Sequence, residues 1–339
     1  MNDFKLDSRY RSGFPQYFPR RKWMCVSGVF LILTLLSVLS FSLNNYLFIP
    51  SPRISKDEVL SEGYQKVLAT WYNFSNSNKW YNRKNVSQRN KDLVREVKEN
   101  WIIEKHELNY SLQSPEVKDP SMGQAEVIRQ IFNYSRNGFF IECGAYDGET
   151  RSNTLNLERF YGWTGLLIEA DPLNFAKMLM KKRKAYLSPS CLSIKPYPQI
   201  GSFLMANNIG RLHEPPNSTD VKLKNNADVA HVGKHVEVQC FPLATYIFAF
   251  NRTIDYLSLD IEGNEIDVLE TIPFDSVDIK TLSVEYIHNE RSRDYMIDLM
   301  KKNGYYVHSY VEHEDNLAND IIFVKEEFMP LKTNNLDIN

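Results

Sequence analysis

Four stretches of this 339-residue chain place carboxylates, glycines and a histidine where chemistry could use them. In FFIECGAYDGET, residues 139–150, an apolar run stops at Glu142 and is followed by Gly144 and Gly148. In WTGLLIEADP, residues 163–172, a second run ends in the acids Glu169 and Asp171. In YLSLDIEGNEIDVLE, residues 256–270, a third ends in Asp260 and Glu262, and VEYIHNE supplies Glu285 and His288 further on. A carboxylate closing a buried strand attracts a cationic or amino-bearing ligand and repels a pyrophosphate. Glycine next to it lets the backbone come close to a ligand and accepts positive φ. An acid at the end of the neighbouring strand commonly takes the two hydroxyls of a ribose. Asp260, Glu262 and His288 are the candidates for accepting a proton from a reacting group, the histidine because it titrates near neutrality.

The turn after Glu142 offers a carboxylate in place of the free amides of a G-x-G-x-x-G phosphate cradle. S-adenosylmethionine fits such a place, since it carries both an ammonium and a sulfonium. Glu142 near those cations would be electrostatically favourable, beside the turn of Gly144 and Gly148, and Glu169, with Asp171 next to it, stands where a ribose would be met. Moving a methyl from sulfur to a hydroxyl is an in-line displacement that needs the acceptor oxygen close by and a base to take its proton. Other roles stay open for the same residues. Glu262, Glu265 and Asp267 lie near the first turn of NEIDVLE, where carboxylates are stabilised by the helix dipole. Glu285 could pair with a lysine. Asp260, Glu262 and His288 would suit Mg²⁺ or Ca²⁺, but nothing in their spacing requires an ion, and no metal is assigned.

From Gln124 onward, helical and extended patterns alternate. Helices are expected over QAEVIRQIFNYS, TLNLERFYG, NFAKMLMKKRKAYL (174–187), NEIDVLETI and RDYMIDLMKKNG. Strands are expected over GFFIECGA, WTGLLIEADP, a short piece near 190–193, the start of HVEVQCFPLATYIFAF, TIDYLSLDIEG and DIKTLSVEYI. YYVHSYVEHED and NDIIFVKEEF should pair as a final hairpin. This order specifies an α/β domain whose parallel sheet is closed by an antiparallel pair. An amphipathic helix is expected over 91–108, and a long flexible insert over 211–236, which holds His213, His231 and His235. KKRK at 181–184 reads as the solvated face of a helix.

The N-terminal part differs in kind. Residues 26–43 carry no charge and are flanked by Trp23 and Tyr46, the pattern of a single membrane span. Six Lys and Arg precede it and only Arg53 and Lys56 follow closely, which puts the N-terminus in the cytosol and the rest across the membrane. Six N-x-S/T sequons, at Asn73, Asn85, Asn109, Asn133, Asn217 and Asn251, all lie after the span. Cys143, Cys191 and Cys240 would then face an oxidising compartment. We expect Cys191 to pair with Cys240, because Cys143 lies inside the glycine turn, although spacing does not fix the connectivity. The net charge of −2 says nothing about nucleic acid, but no basic, aromatic-laced stripe is present, so no nucleic-acid partner is expected. The expected organisation is a cytosolic basic tail (1–22), a transmembrane signal-anchor helix (23–43), a lumenal stem (44–120), the α/β domain (121–328) and a flexible tail (329–339).

The stretch 138–172, taken with YLSLDIEGNEIDVLE, resembles the FkbM-type methyltransferase domain. The pairing of SNTLNLE with GWTGLLIEADP is similar to its Star-like branch of single-pass type II membrane proteins. That resemblance implies a Rossmann-like S-adenosylmethionine methyltransferase sheet, with the cofactor at the first two strand ends. It also places Asp260, Glu262 and Gly263 facing the transferred methyl. Acceptors in such a family are hydroxyls of sugars or other small polar molecules. The Star-like branch implies a second role without catalysis: escorting membrane-bound EGF-type growth-factor precursors from the endoplasmic reticulum to Golgi or endosomes, and so regulating EGF receptor signalling. In both cases the protein is expected in a secretory-pathway membrane with its domain in the lumen. Glu142 stands where many methyltransferases have an aspartate.

Overall fold

Leu93, Val97 and Trp101 belong to the same buried core as the central strands of the sheet. In the computed structural model, which describes residues 79–82, 86–212, 234–313 and 317–328, the domain therefore starts well before residue 121, inside the expected stem. Asn90 accepts from the Asp92 and Leu93 N–H groups and so starts helix α1 (Lys91–Glu96), which continues as a wider turn over Val97–Trp101. The helix expected over 91–108 stops there. Ile103 instead exchanges backbone hydrogen bonds with Leu187, at 2.8 and 3.1 Å. The expected span at 26–43, the cytosolic tail, most of the stem and the tail 329–339 lie outside the described residues. No helix among those described is long and apolar enough to cross a membrane.

The α/β alternation then runs as the periodicity predicts. Helix α2 (Gln124–Ile131) leads to strand β1 (Phe139–Cys143), helix α3 (Leu155–Tyr161), strand β2 (Thr164–Ile168) and helix α4 (Pro172–Met180). Strands β3 (Tyr186–Ser188), β4 (Cys191–Leu192), β5 (Gln199–Met205), β6 (Arg211–Leu212) and β7 (Lys234–Phe241) follow. Helix α5 (Leu243–Phe250), strand β8 (Ile254–Leu259), helix α6 (Glu265–Thr271), strand β9 (Ile279–Glu285), helix α7 (Arg293–Lys302) and the hairpin β10 (Tyr305–Glu312) and β11 (Asn319–Lys325) complete the described chain.

The main sheet has the order β3-β2-β1-β8-β9-β11-β10. Strands β3, β2, β1, β8 and β9 are parallel, and β11 enters antiparallel between β9 and β10. Every residue of β1 is buried, as a strand covered on both faces must be. The chain leaves β1 toward β2 on one side and returns to β8 on the other. The crevice beyond the carboxyl ends of β1 and β8 is therefore the switch point at which such sheets hold ligands. A smaller sheet, β4-β7-β5-β6, stands beside it. Cys191 and Cys240, in register on β4 and β7, form a disulfide, and Cys143 is free and buried.

Two local expectations need correction. The helix expected over 174–187 ends at Met180, since Lys182 adopts φ +54° and Tyr186–Ser188 has joined the sheet as β3. KKRK is consequently no solvated helix face. Lys181 lies 2.6 Å from Glu149, while Arg183 is fully buried and donates from Nε to Glu158 at 3.0 Å. The extended β5 and the flanks of the 211–236 insert also form the smaller sheet, so Arg211, Leu212 and His235 are strand residues, while His213 and His231 lie outside the described residues. In β5, QIGSFLM, a Gly-Ser pair breaks the alternation that marks a half-buried strand.

Leu93 is wholly buried although it precedes the α/β pattern. Leu93→Ala should lower unfolding stability by about 2–5 kcal/mol in urea denaturation followed by tryptophan fluorescence. A loss below about 0.5 kcal/mol, the surface-substitution range, would mean that this helix is not part of the core.

Candidate active site

Three strand ends are tied together at the crevice. The Gly144 and Ala145 N–H groups both donate to the Ile168 carbonyl at the end of β2, at 3.1 Å. The Asp260 N–H donates to the Cys143 carbonyl at 3.2 Å. Gly144 has φ +77°, and a Cβ placed on it would stand 1.7 Å from the Asp260 carbonyl oxygen, so no other residue fits there. The glycine is required by contact between two strand ends. Beyond them lie two adjoining clefts of about 630 and 960 Å³, both lined by Gly144, Tyr146, Asn208, Asp260 and Glu262.

The smaller cleft opens over β2. Glu169 stands in its wall with Ala170 and Ser190, and Leu192, Phe203 and Ile261 supply apolar surface. The Glu169 carboxylate is fixed from both sides: Oε2 accepts the Tyr146 N–H at 2.7 Å and Oε1 the Asp171 N–H at 2.7 Å. The Ala170 N–H is a further backbone donor to it, which leaves lone-pair capacity on one oxygen. Burial, and then the neighbouring Asp171 carboxylate, push its pKa up to about 8. The disulfide borders this cleft through Cys191.

Three of the expected cofactor residues do other work. Glu142 is buried, and its oxygens accept from the Asn153 N–H at 2.8 Å, the Ser152 hydroxyl at 3.0 Å and the Thr154 hydroxyl. It borders the larger cleft but is committed to holding the loop that leads into α3. Burial raises its pKa, against the pull of Arg183 and these donors. Gly148, at φ +75°, packs against Met178 and gives its carbonyl to Arg183, and it lines neither cleft. Asp171 caps α4, accepting the Leu173 and Asn174 N–H groups at 2.8 and 3.2 Å.

The larger cleft gathers the candidate bases. Strand β8 ends at Leu259, and the chain has turned by Glu262, which sits in the left-handed region at φ +61° ahead of Gly263 at +117°. Asp260 and Glu262 both line the opening. His288 Nδ1 lies 2.8 Å from Glu262 Oε2 and 3.1 Å from both Glu285 oxygens. Nδ1 is hydrogen-bonded to Glu285, while the Glu262 oxygen makes no hydrogen bond. Asp260 Oδ1 and His288 Nε2 are buried without a hydrogen-bond partner. Glu265 and Asp267 do lie in the first turn of α6, but no side chain caps that helix; Glu265 instead folds back on the preceding loop, accepting from Ile261 at 2.7 Å and from Gly263. Glu285 pairs with the histidine instead of a lysine. Burial raises Asp260 and Glu285 well above the carboxylate range, helped by Glu262 for the first and Asp260 for the second. Glu265 is pushed up to about 7 and Asp320 to about 6, both chiefly by burial.

Several lining residues carry no sequence signal of their own. Phe203 and Asn208 come from the β5–β6 region, and Gln124 and Leu317 reach the larger cleft from opposite ends of the domain. Tyr146 could have been read from its place between the two glycines.

Residues 142–307 match the model of the family described as the Methyltransferase FkbM domain. That stretch contains the whole lining of the smaller cleft and, in the larger one, all but Met122, Gln124 and Leu317. No curated protein matches the chain. Similar solved structures include an FkbM methyltransferase from Methylobacillus flagellatus KT, at 12% identity over 56% of this chain and 44% of that one, with a TM-score of 0.36. This chain thus spans under half the length of that protein. A methyltransferase from Pyrococcus furiosus is 14% identical over 60% of this chain and 82% of its own, with a TM-score of 0.32. M. jannaschii TYW2, solved in complex with AdoMet, is 14% identical over 60% and 75%, with a TM-score of 0.27. The α/β domain thus contains a segment, 142–307, that matches the FkbM methyltransferase domain.

The raised acids give stability a definite pH dependence. Glu169, Glu265 and Asp320 hold protons in the folded state that the unfolded chain has lost above about pH 5. Unfolding therefore releases protons less readily bound in the unfolded chain, and stability should fall as pH rises from about 5 through 8. Melting temperature measured across that range checks this; a temperature that climbs steadily toward pH 8 would contradict it.

Proposed function

We propose that this protein is an S-adenosylmethionine-dependent O-methyltransferase, with the cofactor in the smaller cleft and a hydroxyl-bearing acceptor in the larger. The observation that carries this reading is the position of Asp260. It lines both clefts at their junction and keeps a buried, unpartnered carboxylate oxygen. The cofactor fits the first cleft on three counts: an acid at the end of β2 with lone-pair capacity to spare on one oxygen, apolar side chains suited to an adenine, and a backbone crossing made possible by Gly144. Glu169 would hold the ribose, and Phe203, Leu192 and Ile261 the base. When bound, S-adenosylmethionine supplies an electrophilic methyl on a sulfonium.

In its ionised form Asp260, whose proton affinity burial raises, is suited to take the proton of the acceptor hydroxyl as the acceptor oxygen bonds to the methyl carbon and the carbon–sulfur bond breaks. Buried carboxylates around it exclude bulk water and favour a polar, uncharged or cationic acceptor, which accords with sugar hydroxyls. The disulfide supports a domain in an oxidising compartment. The exposure of the sequon residues Asn109, Asn133 and Asn251 agrees with a lumenal face. We therefore place the chain in a secretory-pathway membrane, anchored by residues 26–43. A second reading, the escort of growth-factor precursors, is favoured by one feature. Glu142, Gly148 and Asp171 are spent on internal bonds and packing, as in a fold kept as a scaffold.

Titration calorimetry of the purified full chain with S-adenosylmethionine tests the first reading. Binding should be seen with the wild type and weaken at least about tenfold in Glu169→Ala, a loss of 1.4 kcal/mol or more. A folded protein that gives no heat of binding would reject the enzyme and leave the escort.

A further inference from the structure

We propose that Glu262, Glu285 and His288 form a binding site for a hard divalent cation at the acceptor end of the larger cleft. Their ligand atoms lie within 4.8 Å of one another. The histidine nitrogen stands 2.8–3.1 Å from the carboxylate oxygens. Neighbouring ligands of an octahedral ion with bonds near 2.1 Å are about 3 Å apart, so the histidine nitrogen stands at that spacing from oxygens of both carboxylates.

Hydrogen bonding leaves this cluster incomplete. A single imidazole proton cannot serve three carboxylate oxygens. Nδ1 is hydrogen-bonded to Glu285, and Glu262 Oε2, 2.8 Å from the same nitrogen, is left buried without a hydrogen bond. His288, whose side chain is only 3% exposed, lines the cleft with Nε2 unpartnered as well. Charge points the same way. Glu262, Glu285, Asp260 and Glu265 converge here, and among the described residues the ion pairs that reach Glu262 and Glu285 are those of His288. Arg211 is close enough to Glu262 to feel its charge, but its Nε is itself buried without a partner. Buried carboxyl groups need compensation, and one imidazole here faces several of them, which a cation would relieve.

Two carboxylates and one imidazole suit Mn²⁺, which accepts both oxygen and nitrogen donors, better than Zn²⁺, which prefers a tetrahedral nitrogen- and sulfur-rich set. Three protein ligands leave positions open toward the cleft. The role of those positions, holding the oxygens of a polyhydroxylated acceptor beside Asp260, rests on the methyltransferase reading; the ion site itself does not.

The test uses purified full chain freed of metal with chelator and titrated with Mn²⁺, the free aquo ion being read by electron paramagnetic resonance. One equivalent should bind. Glu285→Gln and His288→Gln should each weaken binding at least about tenfold. Glu237→Gln, an exposed acid on β7, should bind as the wild type does. Glu262→Gln replaces His288→Gln as the deciding variant if circular dichroism shows the latter to be misfolded. No bound Mn²⁺, or equal binding by the wild type and the cleft variants, overturns the site and leaves a hydrogen-bonded His–Glu pair only. S-adenosylmethionine titrated into the same samples separates the two claims. Cofactor binding without Mn²⁺ removes the cation alone, and Mn²⁺ binding without cofactor removes the methyltransferase reading alone.

Discussion

The crossing of Gly144 over the carbonyl of Asp260 is the constraint on which the site depends. The ends of β1 and β8 meet there more closely than any side chain would permit. With Asp260 hydrogen-bonded back to Cys143, the fourth parallel strand is stopped at a fixed point and its continuation must turn. Glu262 accepts a left-handed conformation in that turn, a costly one for a residue with a side chain. Strain of this kind persists only where the surroundings impose it. Here the surroundings are the Gly144 contact on one side and the Gly263 contact with the His288 backbone on the other.

A second layer keeps the first in place. Glu142 grips residues 152–154, while Arg183 reaches from the end of α4 to Glu158, the Ser152 hydroxyl and the Thr154 hydroxyl. Breaking such a buried pair by removing one partner leaves an uncompensated charge, which is why these groups act as a unit. The glycine turn is thus supported from beneath by polar contacts, and the clefts above it are left to residues with capacity to spare. Glu169 and Asp260 are of that kind. Glu142 and Asp171 are not.

Much of this was legible in the sequence. The buried runs ending in Glu142, Glu169 and Asp260 mark strand ends, and hydrophobic periodicity locates the flanking helices. The pairing of Cys191 with Cys240 also agrees with the structure. Which acid touches the cleft was not legible, because that depends on how each carboxylate is already hydrogen-bonded. Asp171 and Glu169 are two residues apart and indistinguishable by type, yet one caps a helix and the other faces the cleft. The KKRK run misleads for a related reason: after Met180 the backbone leaves the helix, so every second basic side chain turns inward. Phe203 and Asn208 lie in a strand region whose Gly-Ser pair hides its period, and a residue reaching the cleft from there has no local signature. The early helix at 91–96 was recognisable as amphipathic, but the partner for its apolar face lies across the domain.

The claim at the centre is that the crevice formed at the Gly144–Asp260 crossing holds an adenosyl sulfonium compound. A crystal structure of the protein grown with S-adenosylhomocysteine, the demethylated product of the proposed cofactor, examines it directly. The account predicts density over Gly144, with ribose hydroxyls within hydrogen-bonding distance of Glu169 and the sulfur directed at the opening beside Asp260. Density elsewhere on the domain, or a crevice closed by Phe203 and Tyr146 at saturating ligand, would contradict it.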